Sequence, residues 1–266
     1  MLRYREVGDS VNTLFGGLTI IAVILLVYVF GSSLTWSLTV MSSDEVNVNE
    51  LFYALSLSIV TAGASSSLAL IISIPISYYL ARHEFRGKKL VQTLLLLPLA
   101  LPPVALGILL LIFFTKSPLG VLIDNYLSVV FDVKGLIIAQ FTVILPISIR
   151  ILTSVFSSLN PNYENLALVL GFNRLQALLK VILPMIKNPL ISTYALLFSR
   201  ALGEFGASVM LAGATRFKTE TIPIALYLAF NSGDLWLTSS IMLASMFASA
   251  ALLLIIQVWE GERVIA

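Results

Sequence analysis

The sequence predicts an all-α, polytopic membrane protein with six transmembrane helices, on three observations. Of its 266 residues 58% are hydrophobic and 11% charged, where a soluble domain carries roughly 25% charged residues. The mean hydropathy is +0.98. Four stretches hold no charge at all: between Asp9 and Asp44, between Glu50 and Arg82, between Lys89 and Lys116, and between Asp234 and Glu260. Each exceeds the ~20 apolar residues that a bilayer-spanning helix needs.

Two further spans carry isolated charges. One runs over 135–156 with Arg150 near its end, the other over 190–213 with Arg200 and Glu204 inside. The first span reads as an anchor that stays in place, because its apolar core is too long for a cleaved signal and no A-x-A site follows. Residues 1–12 form a short lead, 13–50 the first helix and the loop after it, 51–257 the core transmembrane domain, and 258–266 a tail. No linker, low-complexity tract or internal repeat interrupts the order.

Orientation follows the distribution of Lys and Arg. One side collects Arg3, Arg5, Arg82, Arg86, Lys88, Lys89, Arg150, Arg174, Lys180, Lys187 and Arg263. The other holds Lys116, Lys134, Arg216 and Lys218. The first side is therefore expected to be cytoplasmic, together with both termini.

Several chemistries are excluded at once. The formal net charge of +2 is too small to suggest nucleic acid, and the absence of cysteine removes thiolate sites and disulfides. A lone histidine, His83, cannot build a metal cluster or a Ser-His-Asp triad. The nearest approach to a P-loop, AGATRFKT at 212–219, has Ala212 and Phe217 where glycines are required.

Within the second span, Ser58, Ala62 and Ser66 form one row of small residues, and Ser65, Ala69 and Ser73 a neighbouring one. Such rows let helices approach closely in lipid, chiefly within one chain. The third span holds LLLLPLALPPVALG at 94–107, where Pro98, Pro102 and Pro103 must break or kink the helix. Broken backbone at membrane depth is tolerated where protein or a water-filled cavity surrounds it. The alternatives are a helix lining an interior and a kink that serves packing.

The segment ENLALVLGFNRLQALLKVILP at 164–184 differs from the spans around it. Glu164 to Leu170 can form a short helix, and Gly171 suits a left-handed stop. Asn173 and Gln176 make a capping box for a second helix. Its Leu175, Leu178, Leu179 and Ile182 share one face, with Arg174 and Lys180 left toward water. Pro184 is expected to open the fifth span near its first turn. This elbow either rests on lipid headgroups or docks into a groove on a cytoplasmic partner.

In the fifth span Arg200 and Glu204 lie at i and i+4, and pairing reduces the ~2.5–3.5 kcal/mol cost of a charge at membrane depth. The pair either pins the helix or lines a route. Gly203 and Gly206 flank Phe205 and permit close approach or a bend, so Phe205 either contributes to a gate or simply packs. Arg216 and Lys218, in the loop before the last span, either meet an acidic partner or lie in water.

Gly171, nine residues, then Val181-Ile182-Leu183-Pro184 resembles the EAA loop of ABC-transporter permeases. Asn165-Leu166-Ala167 stands where that pattern has Glu-Ala-Ala, and Glu164 sits one place early. PISYYLARHEFRGKK at 75–89 and SRALGEFGASVMLAG at 199–213 are similar to segments of the molybdate, tungstate and sulfate permeases, and TETIPIALYLAFNSGDL at 219–235 most resembles the molybdate and tungstate branch. The likeness covers roughly 51–257.

The resemblance implies a type I importer permease in a bacterial or archaeal cell membrane, a transport subunit and not an enzyme. It implies a homodimer with two copies of an ABC ATPase and one extracytoplasmic binding protein. ATP and Mg would sit in the ATPase, with no cofactor in this chain. Glu164, Ala167, Gly171, Asn173, Arg174, Val181, Leu183 and Pro184 would form the coupling loop. Pro98, Pro102, Pro103, Arg200, Gly203, Glu204, Phe205 and Gly206 are pathway or gate candidates, and Arg216 and Lys218 binding-protein contacts. Molybdate or tungstate is the expected cargo, with sulfate or thiosulfate as the alternative. An ion-coupled secondary transporter is a remoter one, since such proteins place acidic groups in several helices.

Overall fold

A computed structural model describes the backbone over 2–41 and 48–261 and the side chains over 15–40 and 48–251. The described residues form helices and connecting turns, with no strand. The chain order is α1 (Leu2–Met41), α2 (Val48–Arg82), α3 (Lys88–Ala100), α4 (Pro103–Lys116), α5 (Pro118–Leu127), α6 (Val133–Ser158), α7 (Asn162–Val169) and α8 (Arg174–Ala177). A π-helical turn (Leu178–Ile182) leads into α9 (Leu183–Met185), followed by α10 (Lys187–Leu202), α11 (Gly206–Ala212), α12 (Ile222–Asn231) and α13 (Leu235–Gly261).

Among the described residues, three continuous stretches are long and apolar enough to cross a membrane: Phe15–Val40, Val48–Arg82 and Val133–Ser158. The expected third span is instead two helices, α3 and α4, bent by 109°. The expected fifth span is also divided. The limb Arg174–Met185 meets α10 at 77°, and α10 ends at Leu202 before α11 begins at Gly206. The sixth segment is helical from Leu235 to Gly261. The tail over 262–266, the first residue and Asp44 and Glu45 lie outside the described residues.

The centre of the bundle is α2 against α6, with α10 across both. The small residues of α2 are what permit this. Ser58, Ala62, Ser65, Ser66, Ala69 and Ser73 are all fully buried. Lipid offers no hydrophobic drive between helices, so close packing and hydrogen bonds hold them. Ser65 Oγ donates to Gln140 Oε1 at 2.9 Å, and Gln140 Nε2 donates to Thr61 Oγ1 at 3.4 Å. Ser77 Oγ donates to the Ile149 carbonyl at 3.1 Å, and Ser73 and Ser148 pair through their hydroxyls.

Around this centre, Leu152 and Phe156 of α6 pack with Leu178, Ile182 and Ile186. Toward its other end, Ala139 and Val143 pack with Leu106 of α4 and Ala207 and Leu211 of α11. α1 packs on α13 and otherwise presents exposed apolar side chains along 18–30, as a helix bathed in hydrocarbon does.

Candidate functional site: an elbow and two abutting helix breaks

The elbow forms from local signals. α7 ends in a Schellman motif: the Phe172 N–H reaches the Ala167 carbonyl at 3.1 Å, and the Gly171 N–H reaches Leu168 at 3.0 Å. That closure requires a left-handed residue, and Gly171 has φ 88°. Two residues later Asn173 Oδ1 accepts the Gln176 N–H at 2.8 Å, while Gln176 Oε1 accepts the Asn173 N–H at 3.0 Å. The capping box expected from the sequence is complete.

Beyond α8 the expected single apolar face divides. Leu178 and Ile182 are buried, but Leu175 and Leu179 are exposed. The π-helical turn over Leu178–Ile182 widens the helix there, so Ala177, Leu178 and Ile182 turn inward while Gln176, Leu179 and Lys180 turn out. Val181 and Leu183 are half-buried and Pro184 exposed, while Ile182 and Ile186 are the buried anchors. Pro184 lies in α9, and the span proper starts at Lys187, past the bend. Arg174 and Lys180 face outward as expected, with Lys180 Nζ 5.8 Å above the Phe172 ring.

The base of the elbow is tied to the end of α2. Glu164 accepts a hydrogen bond from the Tyr78 hydroxyl, and its Oε2 lies 3.6 Å from Arg82 Nε. Arg82 Nη1 also donates to the Leu159 carbonyl at 3.1 Å. Its tip is open: Val169 is 84% and Leu170 78% exposed, and Leu175 stands beyond them. An apolar tip on a clamped base is a surface built to be covered.

The second feature lies within the third and fifth spans expected from the sequence. α3 ends at Ala100 even though Pro98 is accommodated inside it. Leu101 and Pro102 are extended, with ψ 143° and 135°, and Pro103 opens α4. α10 ends at Leu202, and Gly203 to Phe205 separate it from α11. These two breaks touch. A Cβ on Gly206 would lie 3.0 Å from Val104 N and 3.1 Å from Pro103 Cβ. A Cβ on Gly107 would meet the Ala207 carbonyl oxygen at 2.7 Å and Ala207 Cα at 2.8 Å. Backbone therefore packs directly on backbone where α4 and α11 begin.

Glu204 sits in the second break and is 1% exposed. Its Oε1 accepts the Ala207 N–H at 3.0 Å, which satisfies a free donor at the start of α11. Its Oε2 meets Arg200 Nη1 at 2.8 Å, and the Arg200 side chain remains 38% exposed. Phe205 is half-buried, with its ring 5.3 Å from that of Tyr227. A 440 Å³ apolar cleft follows, lined in part by Trp36, Phe205, Tyr227 and Met242.

The loop before α12 is more strongly anchored than the sequence implies. Arg216 stays exposed but reaches back to the bundle, with Nε 3.4 Å from Glu50 Oε1 and Nη2 3.2 Å from Ser232 Oγ. Lys218 Nζ lies 3.8 Å from Asp132 Oδ2, and half of its side chain stays open. Tyr53 donates its hydroxyl to the Lys218 carbonyl at 3.2 Å, and the Ile222 N–H donates to Ser58 Oγ at 2.7 Å.

Sequence reasoning missed Tyr78, Arg82, Gly107 and the Glu50–Arg216 pair. The first two lie in PISYYLARHEFRGKK, yet nothing in that segment names Glu164 as their partner. Gly107 closes the proline-rich run, and its i+4 neighbours carry no signal of a facing backbone. Glu50 marked the edge of an uncharged stretch and nothing more.

Comparison with known proteins agrees with this geometry. Residues 73–261 match the family described as binding-protein-dependent transport system inner membrane component. The sulfate transport system permease protein CysT of Salmonella typhimurium is 30% identical, over 92% of this chain and 90% of that protein. A probable molybdenum ABC transporter permease of Haloferax volcanii is 30% identical over 88% and 86%, respectively. The molybdenum transport system permease protein ModB of Mycobacterium tuberculosis is 35% identical over 73% and 71%. A chain of the bacterial alginate ABC transporter, solved with alginate pentasaccharide-bound periplasmic protein, superimposes with a TM-score of 0.67 at 18% identity, covering 93% of this chain and 92% of that one. An elbow with an uncovered apolar tip, two broken spans packed backbone to backbone, and a family match over most of the chain lead to one conclusion: this multi-pass inner-membrane protein belongs to the permease family of binding-protein-dependent ABC importers.

Proposed function

We propose that the chain is the permease of an ATP-driven importer of a tetrahedral oxyanion, with molybdate or tungstate as cargo. Two copies would form the pathway, with two ATPase subunits beneath and one binding protein above, and both termini on the ATPase side. ATP and Mg would bind in the ATPase. Membership of the binding-protein-dependent family removes the ion-coupled secondary transporter from contention.

The observation that carries this reading is the elbow. Val169, Leu170 and Leu175 leave an apolar tip uncovered, and Glu164, held by Tyr78 and Arg82, fastens its base to α2. ATP binding would draw the two ATPases together and displace both elbows, and rigid-body motion of the helices would switch access. The abutting breaks at Pro102–Pro103 and Gly203–Gly206 are the place where helix ends can pivot without losing continuous backbone bonds. Arg200 would offer a partly exposed cation near that point. Lys218, more open than Arg216, is the better contact for the binding protein.

Sulfate is the second reading, favoured by the sulfate permease that aligns over nine-tenths of this chain. Co-purification with the ATPase and binding protein, followed by ATP turnover with each anion, separates the two. Stimulation by molybdate and tungstate but not sulfate supports the first reading. Stimulation by sulfate alone overturns it. Failure of any ATPase to co-purify overturns the elbow's role.

A further inference from the structure

The second break is packed on one side only. Toward α4 it is tight, since a Cβ on Gly206 would stand 3.0 Å from Val104 N. Toward α12 it is open. Phe205 lines the 440 Å³ cleft between α1, α12 and α13, and Gly203 borders a second cleft of 220 Å³. The two clefts adjoin, sharing Pro223 and Leu226 of α12. A Cβ on Gly203 would meet nothing closer than 3.9 Å. The transport reading gives neither cleft a role.

The chemistry of the larger cleft selects its occupant. Trp36, Leu226, Tyr227, Phe230 and Met242 wall it together with Phe205. The Thr238 hydroxyl already donates to the Asp234 carbonyl at 2.6 Å, so it offers no free donor. Water finds too few partners in such a space, and apolar cavities stay dry. The volume falls within the ~300–1,000 Å³ range of small-molecule sites. Trp36 stands on Phe15–Val40, a stretch long and apolar enough to cross a membrane, and the same helix bears the exposed apolar side chains of 18–30. Trp36, Tyr227 and Phe230 are themselves exposed. The cleft therefore opens onto a surface that hydrocarbon bathes. A helix from a second copy would fit poorly. Helices that pair in lipid use small residues and polar bonds, as Ser65 of α2 does with Gln140 of α6, whereas these walls are aromatic and bulky. A flexible hydrocarbon chain can follow them.

We propose that this cleft binds one acyl tail of a membrane lipid, and that the tail props the second break by packing on Phe205. The Phe205 and Tyr227 rings are 5.3 Å apart, so a tail against both fastens α12 to the break. With the tail in place, Gly203 to Phe205 are supported from both sides. Without it they are held from α4 alone and can swing toward α12. The tail site stands on the cleft itself, whereas its effect on transport rests on the permease reading.

Native mass spectrometry of the full-length permease tests the site without cargo or ATPase. The added lipid is dioleoylphosphatidylcholine, whose headgroup carries no net charge and leaves the tails to bind. The wild type should keep one lipid per chain after loosely held lipid is stripped. Met242→Trp and Thr238→Leu each put bulk into the cleft, and each should lose that lipid without changing the oligomer. Thr238→Leu is the milder change and decides the matter if Met242→Trp fails to fold. A wild type that keeps no lipid, or a filled variant that keeps it, overturns the site. So does a filled variant that breaks the oligomer apart and leaves lipid binding intact, because a second copy then covers the cleft. In the complex with the ATPase, stripping lipid from the wild type should abolish stimulation of ATP turnover by the loaded binding protein, and adding it back should restore it. The filled variants should keep stimulation when stripped. Turnover indifferent to stripping, in a wild type that binds the lipid, overturns the prop.

Discussion

Gly107→Ala tests whether the two helix breaks bear on each other. The added Cβ would stand 2.7 Å from the Ala207 carbonyl oxygen, 2.8 Å from Ala207 Cα and 2.8 Å from Met210 Cβ. Two of these are backbone atoms and cannot rotate away. α11 must recede by about 0.8 Å to restore ordinary contact at ~3.5 Å. Overpacking of this kind costs about 1–3 kcal/mol, and each kcal/mol lowers the melting midpoint of a chain this size by about 2–4 °C. Gly203→Ala is the control: its Cβ meets nothing closer than 3.9 Å, and its φ of −86° suits any residue. Thermal melting of the detergent-solubilised permease should show a clear drop for Gly107→Ala and almost none for Gly203→Ala. ATP turnover by the assembled transporter should lose its stimulation by the loaded binding protein in Gly107→Ala. Equal melting points for the two variants would refute the backbone contact between α4 and α11.

Gly171→Ala forces a Cβ into the left-handed region at φ 88°, at a cost of about 1–2 kcal/mol. Weaker co-purification of the ATPase is the expected sign. Asn173→Ala removes an Ncap oxygen and half of the capping box, worth about 1 kcal/mol, and should increase proteolysis in the elbow before it affects the bundle. Arg200→Gln leaves a buried carboxylate with one donor and should cost about 1–3 kcal/mol. Glu204→Gln keeps an oxygen for the Ala207 N–H, so the Arg200 variant should melt lower, and the reverse order would contradict the assigned contacts. Glu220 is held above its ordinary value, so the folded loop binds a proton that the unfolded chain releases more readily. Its stabilising effect is complete below about pH 4.5 and is lost as pH rises through about 7. Melting midpoints measured against pH should fall over that window in the wild type and less so in Glu220→Gln.

What was legible in the sequence is what local chemistry controls. Gly171 and the Asn173–Gln176 box announced the elbow because both signals act within six residues and need no distant partner. Pro102 and Pro103 announced the first break because a missing donor and a fixed φ act at the residue itself. The second break was announced only as a bend that Gly203 and Gly206 permit around the charged Glu204, since hydropathy does not register where a backbone stops being helical. Pro184 misled for the converse reason. A proline is tolerated in any first turn, and the π-helical turn behind it moved the start of α10 to Lys187. The ties of Glu164 to Tyr78 and Arg82, and of Arg216 to Glu50, join residues more than eighty positions apart. No periodicity carries that information.

The two ends of the molecule are linked through α6 as well as α2, and that constrains how motion can travel. Phe156 and Leu152 lock α6 to the elbow through Ile182 and Ile186. Ala139 and Val143, about 14–26 Å farther along at 1.5 Å per residue, pack on Leu106, Ala207 and Leu211 beside the breaks. α2 and α6 are joined along their length by Ser65, Ser73, Ser77 and Gln140, so neither slides alone without stranding buried polar groups. A displacement of the elbow must therefore tilt this pair as one body. The segments free to respond are those with interrupted backbone, the starts of α4 and α11, and they meet closely at Gly107 and Gly206, on the backbone of Ala207 and Val104. A force applied at Glu164 thus reaches the breaks with little soft material in between, which is why a single added methyl at Gly107 is expected to uncouple the two ends before it unfolds the bundle.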